Sequence, residues 1–208
     1  MIICPKHKLV YLAPPKTGST AVKTLLMSRR FGGRILGRPE FAHHDVVWQP
    51  RFQDWTIFIS VRNPYRRMIS MWQFSLMRYH KRRRDKFTDF FSTIFPTDDH
   101  SFTAFMNSQT VLNCSQSVWR YAWQLHKLQK PVDYVLYQER LGEDLRKIPQ
   151  FAGERLKQVN TSCSMELPWY KLYTPDAIAK VKTWYAVDFE RFGYNPEFQA
   201  CVDGTSIL

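Results

Sequence analysis

The sequence is short of acid and of cysteine, and it lacks any long apolar run. Eighteen Asp and Glu stand against 30 Lys and Arg, which leaves a formal net charge of +12. The surplus favours polyanionic partners, whether nucleotides, nucleic acid, sulfated or phosphorylated polymers or anionic membrane, without choosing among them. The few acids form no cluster that would hold a metal, so none is expected. The four cysteines, Cys4, Cys114, Cys163 and Cys201, are widely scattered with no CxxC pair. That argues against a zinc site, and buried free thiols are expected in preference to disulfides. No apolar stretch approaches the roughly 18–20 residues of a membrane-spanning helix. "MIICPKHKLVYLA" is not followed by a small-residue cleavage site, so no signal peptide is read. A soluble cytoplasmic protein is the expectation. Repeats, low-complexity tracts and long linkers are also missing, and 208 residues suit a single domain over 1–208.

What is present is a large apolar share, 44% of residues with 15% aromatic, enough for a proper core. "KLVYLA" (residues 8–13), "WTIFIS" (55–60) and "VDYVLYQE" (132–139) read as strands. Helices are expected from Ser19 to about Arg29, over residues 87–95, 102–107, 117–128 and 143–148, and from Asp176 to Phe192. Pro175 would start the last of these and Gly193 stop it. Between the first two strands "FGGRILGRPEFAHHD" reads as loop. After the second strand, Asn63 is a good helix cap and Pro64 a good first helical residue. Tyr65, Met68, Ile69, Trp72, Leu76 and Tyr79 then define one long helical face. Strands that repeatedly run into helices imply an α/β fold, P-loop-like and three-layered, with a central parallel sheet flanked by helices. In such sheets ligands bind beyond the carboxyl ends of the strands.

Two chemical-looking stretches fall at such ends. In "PPKTGST" the turn after the first strand presents backbone N–H groups at a helix start, which favours an anion. Gly18 permits close approach, Thr17, Ser19 and Thr20 bring hydroxyls, and Lys16 brings a cation. The order differs from GxxxxGK[ST], in which the lysine follows the second glycine. In "VRNPYRRMIS", Arg62 ends the second strand and Ser70 follows eight residues later. A guanidinium fork and a hydroxyl suit a second phosphate.

A strand into "PKTGST" and a strand into "VRNPYRRMIS" resemble the two signature segments of the sulfotransferases that use 3′-phosphoadenosine 5′-phosphosulfate (PAPS). "RNPYRR" and "YAVDFERFGY" (residues 185–194) resemble the carbohydrate-type branch of that family most. The resemblance implies that Lys16, Thr17, Gly18, Ser19 and Thr20 cradle the 5′-phosphosulfate and that Arg62 and Ser70 hold the 3′-phosphate. It further implies in-line transfer of a sulfonate to an acceptor hydroxyl, on a glycan or another small molecule. Lys16 would neutralise the leaving oxygen. Arg66 and Arg67, on the same helix, are weaker candidates for the nucleotide. Many members place a histidine or glutamate between the two segments. "FAHHDV" offers His44 and His43 there, with Asp45 to orient a ring and Glu40 as the alternative base. The aromatics Tyr79, Trp119, Tyr121 and Trp123, with the basic run "HKRRR" (residues 80–84), would suit an acidic sugar, but core packing and a solvated helix end explain them equally well. Asn160, Thr161 and Ser162 are candidates for a loop over the nucleotide. Two other classes remain open. A P-loop kinase or NTPase shares the topology but needs the missing GxxxxGK[ST] and a strand-end aspartate for magnesium. A non-enzymatic polyanion-binding protein explains the charge but not the two stretches, and nucleic acid is disfavoured because no RNP, zinc-finger or helix-turn-helix signature appears.

Overall fold

The computed structural model describes residues 1–37, 47–82, 99–108, 130–156, 168–205 and 207. In chain order its elements are β1 (Ile2–Cys4), β2 (Leu9–Leu12), α1 (Ser19–Leu26), β3 (Arg34–Ile35), β4 (Thr56–Val61), α2 (Pro64–Arg82), α3 (Phe102–Ser108), β5 (Tyr134–Tyr137), α4 (Leu141–Arg146), α5 (Pro175–Trp184), α6 (Ala186–Arg191) and α7 (Phe198–Val202). They belong to two compact units. Met1–Arg62 with Trp119–Thr161 form the first, and Asn63–Val118 with Ser162–Leu208 the second. The expected helices over 87–95 and 117–128 lie outside the described residues, as do Cys114, Trp119, Tyr121, Trp123, Asn160, Thr161, Ser162 and Cys163.

The first unit holds a five-stranded sheet in the order β3-β1-β2-β4-β5. The fold is α/β and P-loop-like: β2, β4 and β5 are parallel, and each runs into a helix along the chain. The edge departs from the all-parallel expectation, because β1 pairs antiparallel with both β2 and β3. The cause is local. A tight turn over Pro5–His7, closed by Lys8 at φ 50°, folds β1 straight back onto β2, a return that needs no crossover. β3 lies within the stretch expected to be loop.

Apolar periodicity explains the packing. Val22 and Leu26 of α1 are one turn apart and fully buried with Tyr11, Phe58, Leu136 and Phe151. Each such side chain contributes about 1.5–3 kcal/mol by leaving water. α1 stops at Leu26, whose carbonyl accepts a hydrogen bond from Gly33 N at 2.8 Å. A Cβ on Gly33 would sit 2.5 Å from that oxygen, so only glycine makes this return. At the start of the parallel strands the Asp133 carboxylate accepts from Ile57 N at 2.6 Å and pairs with Lys130 at 3.2 Å, fixing where β5 begins beside β4. Cys4 is buried, and burial pushes its thiol up to about 11, so it is inert as a nucleophile at neutral pH.

The second unit is helical. Asn63 caps α2 as expected: its side-chain oxygen accepts from Tyr65 N at 3.0 Å, and its carbonyl accepts from Arg67 N at 2.9 Å. Tyr65, Met68 and Ile69 are buried, and Tyr65 packs against Tyr173, Phe189 and Phe198. The expected helix over 176–192 is instead two, α5 and α6. The chain turns at Tyr185 (φ −110°, ψ 18°), whose ring is fully buried and whose hydroxyl donates to Met68 Sδ at 3.1 Å. Burying that ring outweighs the continuity of the helix.

The turn also sets Asp188 3.8 Å from the buried Arg67 guanidinium. Burial raises the Asp188 carboxyl to about 6, and the opposing pull of Arg67 and then Arg191 is too weak to restore the ordinary value near 3.8. The folded protein therefore binds this proton more tightly than the unfolded chain. The stability that Asp188 contributes is full below about pH 4 and is lost as pH rises through 6. Urea titrations at pH 4, 5, 6 and 7 should show the parent losing about 1–2 kcal/mol relative to Asp188→Asn over that range. Parallel curves for the two proteins would show that Asp188 keeps an ordinary carboxylate.

Candidate active site

The first unit brings Lys16, Thr17, Gly18, Ser19, Thr20 and Arg62 to one edge of the sheet. Strand register explains the meeting. Leu12 pairs with Ile59 and Val61 with Tyr137, so β4 and β5 end level, two residues beyond β2, and the three strands release Ala13, Arg62 and Gln138 at the same side. From there the chain crosses Pro14 and Pro15 and enters α1 at Ser19.

Two left-handed residues shape this turn. Lys16 has φ 66°, uncommon for a residue with a Cβ, and Gly18 has φ 79°. Gly18 caps α1 without a side-chain hydrogen bond, so the first N–H groups of the helix keep the open character of a helix start. A Cβ on Gly18 would lie 2.9 Å from Leu141 Cδ2 and 3.4 Å from Gln138 Cγ. The glycine thus admits the β5–α4 connection as well as the turn. That connection is itself held by Asp144, which accepts from Tyr137 N at 2.9 Å, Lys147 Nζ at 2.6 Å and Arg140 Nε at 3.2 Å. Burial alone would raise the Asp144 carboxyl, but these donors and charges hold it below its ordinary value.

Two cations converge on the turn. Arg62 Nη1 donates to the Lys16 carbonyl oxygen at 3.4 Å, a long contact that brings the guanidinium beside the lysine. Burial first, and the Arg62 charge second, lower Lys16 to about 8. A lysine held so far below 10.5 is protonated at neutral pH against a penalty that a bound anion would remove. A helix start, a guanidinium and a half-buried ammonium together have the chemistry to bind a phosphate or sulfonate.

The hydroxyls divide into two kinds. Thr20 is exposed at the start of α1, while Ser19 is 6% exposed. Thr17 is 1% exposed, and its hydroxyl faces inward: it donates to Pro14 O at 2.8 Å and meets Ser60 Oγ at 2.7 Å. The expected Thr17 hydroxyl in the cradle is therefore already engaged within the protein, and its peptide N–H is what it can offer a ligand. Ser60 Oγ in turn meets Tyr11 OH at 2.5 Å. Sequence reasoning passed over Tyr11 and Ser60. Their only signal is a hydroxyl within an apolar run: Tyr11 in "LVYL", and Ser60 in "TIFISV", where Thr56 opens the strand.

Ser70 lies in the second unit, buried on α2 within the second turn after Pro64. Its neighbours Arg66 and Arg67 are engaged inside that unit. Arg66 stacks 5.0 Å over Trp169, and Arg67 lies 5.9 Å over Tyr185 beside Asp188. A packing role accounts for Arg67. His43, His44, Asp45 and Glu40 lie outside the described residues.

Residues 1–195 match the model of a family described as the sulfotransferase family. No curated protein and no solved structure matches the chain.

Proposed function

Because the chain belongs to the sulfotransferase family, in its carbohydrate-type branch, we propose that it moves a sulfonate from PAPS to a hydroxyl of a carbohydrate acceptor. The convergence of Lys16 and Arg62 on one glycine-gated helix start carries this reading. Bound there, PAPS supplies a sulfonate joined through a bridging oxygen to a phosphate leaving group. The chemistry of the donors fits: backbone N–H groups of residues 17–20 for the 5′ end, Lys16 for the bridging oxygen, and Arg62 with Ser70 for the 3′-phosphate. His44, with His43 beside it, is the base. It takes the acceptor proton as the acceptor oxygen bonds to sulfur, and the electron pair of the broken S–O bond leaves on the bridging oxygen. Positioning and electrostatic stabilisation supply the acceleration. The net charge of +12 suits an acidic glycan, and a soluble cytoplasmic setting is part of the proposal. No described helix is long and apolar enough to cross a membrane.

Calorimetry with adenosine 3′,5′-bisphosphate, without magnesium, tests the donor. The parent should bind it, and Arg62→Ala should weaken it ten- to a hundredfold, the worth of a charge-assisted pair of roughly 1.5–3 kcal/mol. Adenosine 5′-phosphate should lose less, because Arg62 is assigned to the 3′-phosphate, which that ligand lacks. Equal losses would remove Arg62 from the 3′-phosphate. A response to ATP that requires magnesium would point to a kinase. Salt-sensitive binding to heparin with no nucleotide response would point to a polyanion-binding protein.

A further inference from the structure

Under the Lys16–Gly18 turn runs a buried chain of three hydroxyls. β2 and β4 are parallel with Tyr11 opposite Phe58, so the alternation of side chains sets Tyr11, Phe58 and Ser60 on one face of the sheet. Tyr11 stacks on Phe58, with ring centroids 5.0 Å apart and planes 25° apart, and this aims its hydroxyl at Ser60. The proton count then fixes the direction. Thr17 has one hydroxyl proton, and it goes to Pro14 O. The contact with Thr17 must therefore be donated by Ser60, whose single proton is thereby used. The contact with Tyr11 must then be donated by Tyr11. With the Thr17 proton on Pro14 O, the contacts from Tyr11 to Ser60 to Thr17 to Pro14 have one consistent orientation, and all three hydroxyl-bearing residues are at most 1% exposed.

We propose that Tyr11 and Ser60 are positioning residues, whose hydroxyl chain clamps Thr17 and thereby sets the left-handed arc from Lys16 to Gly18 that presents the lysine and the helix start to an anion. The clamp holds both ends of the arc's approach: Thr17 within it and the Pro14 carbonyl before it. It also ties β2 and the turn to β4, the strand that delivers Arg62, so the two cations share one frame. The hydroxyl that the chain orients is the one that ties the turn, with Lys16 at φ 66°, back to the Pro14 carbonyl. The clamp as a geometric device is independent of the donor assigned above, but its benefit to catalysis rests on that reading.

Tyr11→Phe is the cleanest test, because the ring and its stacking survive and one donor is lost. Ser60→Ala cuts the chain at its middle. Each should weaken adenosine 3′,5′-bisphosphate and adenosine 5′-phosphate alike by about three- to tenfold. Adenosine 3′-phosphate, which lacks the group at the turn, should be unaffected. Thr17→Val should bind like the cut chain. A second readout needs no nucleotide: the pH dependence of Lys16 acylation, followed by peptide mass spectrometry. Its midpoint, near 8 in the parent, should move upward in Tyr11→Phe and Ser60→Ala as the lysine gains water. A simple loss of stability would lower the melting temperature without moving that midpoint. Unchanged acylation profiles in both variants overturn the clamp. A parent that binds no adenine nucleotide overturns the donor reading, while the acylation profile still decides the clamp.

Discussion

Lys16→Ala should lower turnover at saturating donor by about 10²–10³ and weaken donor binding by less than tenfold. The asymmetry follows from where the charge is needed. In the ground state the 5′ end also has the backbone N–H groups of the helix start, so the missing cation is partly covered. As the S–O bond breaks, the bridging oxygen gains negative charge, and the lysine is the group placed to meet it. The substitution is also clean. Alanine at φ 66° is no more strained than lysine, and the turn keeps its ties through the Thr17 hydroxyl and the Lys16 carbonyl. Stopped assays at saturating donor, with calorimetry on the same protein, separate the two terms. A collapse of affinity with turnover preserved would make Lys16 a binding residue only.

Much of this site was legible because its signals are local. "PPKTGST" carries its own turn chemistry, and Asn63–Pro64 carries its own cap, so the ends of β2 and β4 and the start of α2 fall where the sequence reads them. The apolar runs that became β2, β4 and β5 are equally self-contained. β1 and β3 were not legible. "IIC" and "RI" are too short for any period, and what makes them strands is pairing with residues elsewhere: Ile3 with Val10 and with Arg34. Tyr185 shows the opposite failure. Local pattern favours one helix through it, and tertiary burial of its ring ends α5 there.

The site residues divide in the same way. Lys16, Gly18 and Arg62 could be picked out by type and place. The inward turn of the Thr17 hydroxyl could not, because it depends on Ser60, 43 residues away. Nor could the depressed lysine, which arises only when the ends of two strands bring Arg62 beside it. Sequence supplied the groups, and register supplied the interactions between them.

If His44 is the base as proposed, His44→Ala should lower turnover by about 10²–10⁴, the usual worth of a general base, and the pH profile should identify its partner. A base must be neutral to take the acceptor proton, so kcat/KM should rise with pH through the histidine range near 6.5. In the proposed mechanism Lys16 must be protonated to receive the donor, and burial with the Arg62 charge lowers it to about 8. The free-enzyme profile should therefore be a bell with its maximum between about 6.5 and 8. His44→Ala should remove the acid limb and leave the alkaline one. Arg62→Ala should do the reverse, moving the alkaline limb upward, because the Arg62 charge is the second cause of the depressed lysine. His43→Ala is the control, since adjacent residues on a loop seldom point the same way. Nucleotide affinity and melting temperature should stay at parent values in His44→Ala, as the residue is assigned to the acceptor. Full activity in both single variants and in the double variant would pass the role to Glu40 or to no side chain. Loss of folding in His44→Ala would make the residue structural. A profile that rises through 6.5 and stays flat above 8 would keep the histidine and show that the lysine charge is not what admits the donor.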